Sequence, residues 1–220
     1  MNSELIRNDF PILKTKVGGH QIVYFDNAAT TQRPLPVVNA VLDYTTHENG
    51  NPHRGAHIFA ISASEAYDTS KEVVRDFIHA RSEKEIIYTR NTSESLNLVA
   101  RSYGVTHLKA GDHILITIAE HHSNLVTWQR VAQKTGATLD YIYVDKETGH
   151  FPEEELKKID DPRVKLFAFA EVSNVLGIDF DPKPLIQRAH AHGAIVVLDG
   201  AQSTPHKSVD VQDLDCDFFA

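Results

Sequence analysis

The sequence predicts an α/β fold, with a mostly parallel central sheet and helices on both faces. Three observations predict it. From about residue 86 onward, short apolar runs alternate with stretches of helical spacing. The runs lack the polar alternation of a half-exposed strand, so they read as strands buried on both faces. The chain of 220 residues is 41% apolar and 24% charged, enough for one sizeable core and for one large domain or one and a half.

Residues 1–20 read as a short amphipathic arm (Leu5, Ile6, Phe10, Ile12, Leu13) ending at Gly18-Gly19. A strand is expected at 23–26, running into Asn27-Ala28-Ala29-Thr30-Thr31. Pro34 suits the first turn of a helix that carries Val37, Val38, Val41 and Leu42. The turn-forming loop Glu48-Asn49-Gly50-Asn51-Pro52-His53-Arg54-Gly55 leads into a helix over 58–80, with apolar residues at helical spacing. Beyond it, strands are expected at 86–89, 113–118, 138–144, 164–170 and 195–198. The helices expected between them cover 93–107, 123–135, 152–159 and 182–192. The sequence closes on Asp217-Phe218-Phe219-Ala220, a strand-like run, which raises the expectation of a truncated domain.

Bulk properties narrow the function classes. A net charge of −8, a pI of about 5.9 and no basic patch argue against nucleic acid or an anionic membrane as partner. No apolar run approaches the ~20 residues of a membrane span. The single cysteine, Cys216, cannot form an internal disulfide and suits a reducing compartment, so a cytoplasmic setting is expected. The 13 histidines are scattered without zinc or HExxH spacing, so no metal site is expected.

The chemistry gathers at the ends of the expected strands. Ile195-Val196-Val197-Leu198 runs straight into Asp199-Gly200-Ala201-Gln202. That places a carboxylate where open α/β sheets bind ligands. Asp-Gly is also an ordinary turn or cap sequence. Thr92 and Ser93 stand at a helix start, fit for a phosphate or for simple capping. His121 follows another strand and could stack on an aromatic ring or move protons, or be a solvated loop histidine. Asn174 follows a third strand as a possible amide donor or turn residue, and His53 with Arg54 reads equally as a solvated loop. Taken together, hydroxyls for a phosphate, an imidazole for a ring, an amide for a phenolic oxygen and a carboxylate for a ring nitrogen are the separate demands of pyridoxal 5′-phosphate (PLP).

Six motifs occur in one order: Tyr24-Phe25-Asp26-Asn27-Ala28-Ala29-Thr30-Thr31, Asn51-Pro52-His53-Arg54-Gly55, Thr92-Ser93-Glu94-Ser95-Leu96-Asn97, Glu120-His121-His122-Ser123-Asn124, Val172-Ser173-Asn174-Val175-Leu176-Gly177 and Asp199-Gly200-Ala201-Gln202. In these the chain resembles the class V aminotransferase-fold cysteine desulfurases of the SufS/CsdA type, over about the first half of such an enzyme. The resemblance implies the large domain of a fold-type I, aspartate aminotransferase-like PLP enzyme. Residues 21–220 would be part of that domain, residues 1–20 an arm of the small domain, and the rest of the small domain would be absent.

The resemblance also implies roles. Thr92 and Ser93 would hold the cofactor phosphate. His121 would stack on the ring and help move protons, and is the expected catalytic residue. Asn174 would bond near the ring oxygen or the substrate carboxylate, Asp199 would pair with the ring nitrogen, and Gln202 would contact the phenolic oxygen. His53 and Arg54 would lie near the substrate mouth. The implied reaction converts L-cysteine to L-alanine and passes sulfur as a persulfide to an acceptor protein for iron–sulfur cluster assembly, in a homodimer. The family's Schiff-base lysine and nucleophilic cysteine match no position here. Lys207 follows Pro205-His206 and fits no lysine motif, and Cys216 reads as a buried small side chain, so no turnover is expected of these 220 residues. Asn91 and Ser95 stand where the family often has glycines. A kynureninase-, epimerase- or aminotransferase-like relative is the alternative chemistry, and a non-catalytic fragment the alternative class.

Overall fold

A computed structural model describes residues 3–220, so the first two residues of the expected arm lie outside it. The chain divides into two units, Met1–Val73 and Val74–Ala220. The first holds α1 (Ser3–Asn8), a two-stranded hairpin of β1 (Lys16–Val17) and β2 (His20–Gln21), α2 (Leu35–Asp43) and most of α3 (Ile58–Phe77). The hairpin turns at Gly18 and Gly19, whose φ values of +59° and +83° favour glycine. Residues 23–26 belong to no strand among the described residues, so the strand expected there is not formed.

The second unit contains α4 (Thr92–Val99), which runs through one wider turn at Ala100–Gly104 into α5 (Val105–His107). Then come β3 (His113–Thr117), α6 (His122–Thr135), β4 (Thr138–Ile142), α7 (Glu153–Leu156), β5 (Val164–Ala170), α8 (Pro182–Ala191), β6 (Ile195–Asp199), α9 (Val211–Leu214) and β7 (Phe218–Phe219). The five strands make one sheet in the order β4-β3-β5-β6-β7, every pairing parallel.

Alternate side chains of the buried strands serve two cores. Leu115, Phe167, Phe169, Val196 and Leu198 pack with Leu185, Ile186 and Ala189 of α8. Ile114, Ile116, Leu166, Ala168 and Val197 pack with Leu96 of α4 and with Trp128 and Val131 of α6. Helices therefore cover both faces, as continuous apolar strands require. The sheet order reverses between β3 and its neighbours, since β4 lies on one side of β3 and β5 on the other. Loops at the carboxyl ends of such strands form the ligand crevice of open α/β sheets.

The segment 86–89 departs from expectation. It begins extended at Ile86, which is buried while Ile87 is exposed, yet no strand pairs with it among the described residues. A strand is half of a pair, and local sequence specifies only the extended half. This segment and β7 both line one open cleft of about 720 Å³, together with Cys216 and Ala220.

Gly200 shows why β6 ends as it does. A Cβ built there would lie 2.1 Å from Phe219 Cζ and 2.5 Å from Cε2, so the reason for glycine is space. Gly200→Ala is expected to cost about 1–3 kcal/mol of stability by overpacking. Urea titration should show the lower midpoint, and adding Phe219→Leu should recover most of it. An unchanged midpoint for Gly200→Ala would refute the steric account.

Candidate active site

The carboxyl ends of β3, β5 and β6 lie side by side, with Ala170 opposite Asp199 in register. The Glu171 amide donates to the Asp199 carbonyl at 3.0 Å, extending the pairing by one residue. Asp199 is 4% exposed, and its Oδ1 accepts from the Ala201 amide at 3.0 Å. Burial pushes its carboxyl above the usual range, while the Ala201 amide and the nearby His121 ring pull it down. A buried carboxylate fits a cationic partner.

His121 is the N-cap of α6. Its Nδ1 accepts from the Ser123 amide at 3.2 Å and lies 2.9 Å from Ser123 Oγ. Accepting at Nδ1 places the neutral ring's proton on Nε2. Ser123 Oγ also bonds Ser93 Oγ in the first turn of α4. Ser93, Ser123 and His121 thus form one chain of polar contacts, and His121 is electrostatically coupled to Asp199. Ser123 was missed as a linking residue. It lies inside the quoted motif, but its role needs two helix starts to converge.

Thr92 and Ser93 open α4, where the first backbone N–H groups of a helix have no partner inside it. Asn91 caps this helix, its side chain accepting from the Glu94 amide at 2.9 Å. Its φ of −172° is extended backbone open to any residue, and Ser95 is helical, so neither position requires a glycine. Asn174 is exposed in the loop after β5. That loop is anchored by Ser173 Oγ, which donates to the Ala119 carbonyl at 3.0 Å, two residues before His121. Gln202 is half-buried in the turn after Asp199.

His53 and Arg54 belong to the first unit. His53 has a left-handed backbone (φ +60°), its amide donates to Ser64 Oγ at 2.8 Å, and its Nε2 lies 3.4 Å from Asp68. A non-glycine residue seldom adopts that backbone, so the loop is held there by α3.

Lys207 Nζ sits 2.7 Å from Glu171 Oε1 and 2.9 Å from Asp179 Oδ1, so this lysine is engaged in an ion cluster. Burial pushes the Cys216 thiol up to about 12, with the charges of Asp217, Asp215 and Glu171 adding to it, which makes it a poor nucleophile. Among the described residues no group of His, Cys, Asp and Glu is arranged to hold a metal, and no helix is long and apolar enough to cross a membrane.

Comparison with known proteins agrees with this fold. The aminotransferase class-V family matches residues 23–220. A probable cysteine desulfurase of Halalkalibacterium halodurans is 47% identical over 220 residues, all of this chain and 54% of that protein. The apo structure of cysteine desulfurase from Thermococcus onnurineus NA1 superposes with a TM-score of 0.89 at 40% identity, covering 99% of this chain and 52% of that one. The cysteine desulfurase CsdA from Escherichia coli, in its S-sulfonic acid form, gives 0.84 at 34% identity, covering 100% and 53%. The chain thus spans about half the length of these relatives. Enzymes of this kind depend on PLP. The buried Asp199 at the carboxyl end of a parallel strand and the match over 23–220 together place the chain in the aminotransferase class-V family.

Proposed function

We propose that the chain is the N-terminal part of a PLP-dependent cysteine desulfurase, which converts L-cysteine to L-alanine and passes the sulfur as a persulfide to an acceptor protein for iron–sulfur cluster assembly. The observation that carries this reading is the juxtaposition of a buried Asp199 with the Ser93–Ser123–His121 chain at one end of the sheet. Residues 21–220 would belong to the cofactor-binding large domain and residues 1–20 to the arm of a small domain. The whole enzyme would work as a cytoplasmic homodimer.

Each residue has a task in this reading. The first amides of α4, with the Thr92 and Ser93 hydroxyls, receive the cofactor phosphate. Asp199 supplies the negative charge that keeps a ring nitrogen protonated. His121, with Nε2–H left free by the cap, lies against the ring and holds or moves a proton at that atom. Gln202 and Asn174 donate to the phenolic oxygen and to the substrate carboxylate, and His53 and Arg54 serve substrate entry. Bound PLP supplies an electron sink for the substrate's α-carbon. The ion cluster of Lys207 supports the expectation that the 220 residues alone give no turnover.

The test has two arms. The 220-residue chain is expected to bind PLP reversibly, seen by absorbance and fluorescence titration, with borohydride fixing no adduct to a defined lysine. The complete gene product is expected to release alanine and sulfide from L-cysteine in equal amounts. A complete protein that loads PLP but instead transaminates, or cleaves kynurenine, would hand the assignment to the alternative chemistry.

A further inference from the structure

Glu120 stands between β3 and His121 and is only 9% exposed. Its Oε1 accepts from the Thr117 hydroxyl, at the end of β3, and from the Ala170 amide at 3.0 Å, at the end of β5. Its Oε2 accepts from Asn124 Nδ2 at 2.6 Å, in the first turn of α6. Asn124 is fully buried, and its Oδ1 accepts from Trp128 Nε1 at 2.8 Å. One carboxylate therefore joins two strand ends to the helix that His121 caps. The Ala170 amide and Asn124 Nδ2 can only donate to it, and with the Thr117 hydroxyl also donating the cluster matches the ionised form.

The environment opposes that charge. The Glu120 carboxyl is pushed up to about 7: burial raises it most, the bonds from Thr117, Asn124 and Ala170 hold it down, and the charge of Asp199 adds a smaller upward push. Asp199 is thus the charged group facing Glu120 across the sheet end, and His121 is its titratable neighbour in sequence. Isolated buried carboxylates are expensive, and this one is held by three separate elements.

We propose that Glu120 is the positioning residue of this site: as the carboxylate it locks the first turn of α6 against the ends of β3 and β5, and so fixes the His121 ring relative to Asp199. This rests on the reading of the site as a PLP site, and it names a residue that acts through His121 without touching the cofactor. Protonation of Glu120 removes an acceptor from a cluster of donors and loosens that lock.

The experiment uses the full chain with PLP as probe and two variants. Glu120→Gln sets an NH₂ group against Asn124 Nδ2, donor to donor. Adding Asn124→Asp restores an acceptor for both the introduced amide and the Trp128 indole, and moves the charge one helical turn. Glu120→Gln is expected to weaken PLP binding about tenfold or more, as loss of a supporting hydrogen bond does elsewhere. Glu120→Gln/Asn124→Asp is expected to return to within about threefold of the parent. Independently of PLP, the His121 ring signals in NMR should show a secondary inflection near pH 7 that Glu120→Gln abolishes. Near-UV circular dichroism of Trp128 checks that each variant is folded.

Binding and His121 titration both unchanged in Glu120→Gln would overturn the proposal, as would a folded double variant that stays weak. A parent chain that does not bind PLP would instead defeat the cofactor reading, and the His121 titration would still decide the role of Glu120.

Discussion

Asp199→Asn is expected to leave the chain folded and, in the complete enzyme proposed above, to remove most of the activity. The side chain keeps its shape and can still accept from the Ala201 amide. Only the charge goes, and the fold does not favour that charge: burial raises the Asp199 carboxyl above its unfolded value. A group shifted that way weakens the fold progressively as pH rises from the unfolded to the folded pKa, so the asparagine variant should equal or exceed the parent in Tm at neutral pH. Below the unfolded carboxylate range, where both forms are neutral, that advantage should vanish. Function should move the other way. A charge pair about 4 Å apart at an effective dielectric near 20 is worth roughly 4 kcal/mol, or about three pKa units on a ring nitrogen. In the complete enzyme that corresponds to a loss on the order of 10³ in kcat/KM. The steady-state rate of alanine release and the absorbance of bound PLP against pH measure it. A variant within tenfold of the parent would show that Asp199 does not set the ring's protonation.

Lys207→Met is expected to destabilise the second unit by about 3–5 kcal/mol, the cost of leaving a buried charge unpaired. Glu171 is 1% exposed; its Oε1 rests on Lys207, and its Oε2 has no hydrogen-bond partner among the described residues. Burial works against the charge of Lys207, but its bonds to Glu171 and Asp179 outweigh this and hold it above its usual range. Removing the ammonium therefore strands a carboxylate in the core beneath the β5 end. Lys207→Met/Glu171→Met removes both charges and should recover most of the loss, because burying an ion pair is itself near break-even. Urea titrations of the four forms close the cycle. A single variant within about 1 kcal/mol of the parent would mean that water reaches Glu171. Because the same lysine ties the turn after Asp199 to the loop before α8, the variant should also loosen the segments that carry Gln202 and Asn174.

The buried strands were legible because their composition answers a single question, whether both faces are covered. The runs 164–170 and 195–198 say so in their own residues, and β5 and β6 follow them within one residue. Residues 23–26 and 86–89 carry the same extended signal, but pairing depends on a second segment that the local sequence does not name. The site divides along the same line. Asp199 and His121 stood out because one ends an apolar run and the other lies in the short loop after one. Ser123 and Glu120 did not, since each matters only through atoms contributed by other elements: Ser93 for the first, Thr117 and Ala170 for the second. Lys207 was visible only as a lysine that fits no known motif, and its partners, Asp179 and Glu171, lie far back along the chain.

The cap on α6 carries one more consequence. With the Ser123 amide seated on Nδ1, the imidazole has a single open port, at Nε2. In the proposed reading, any hydrogen ion that the neutral ring hands over must leave and return through that one atom.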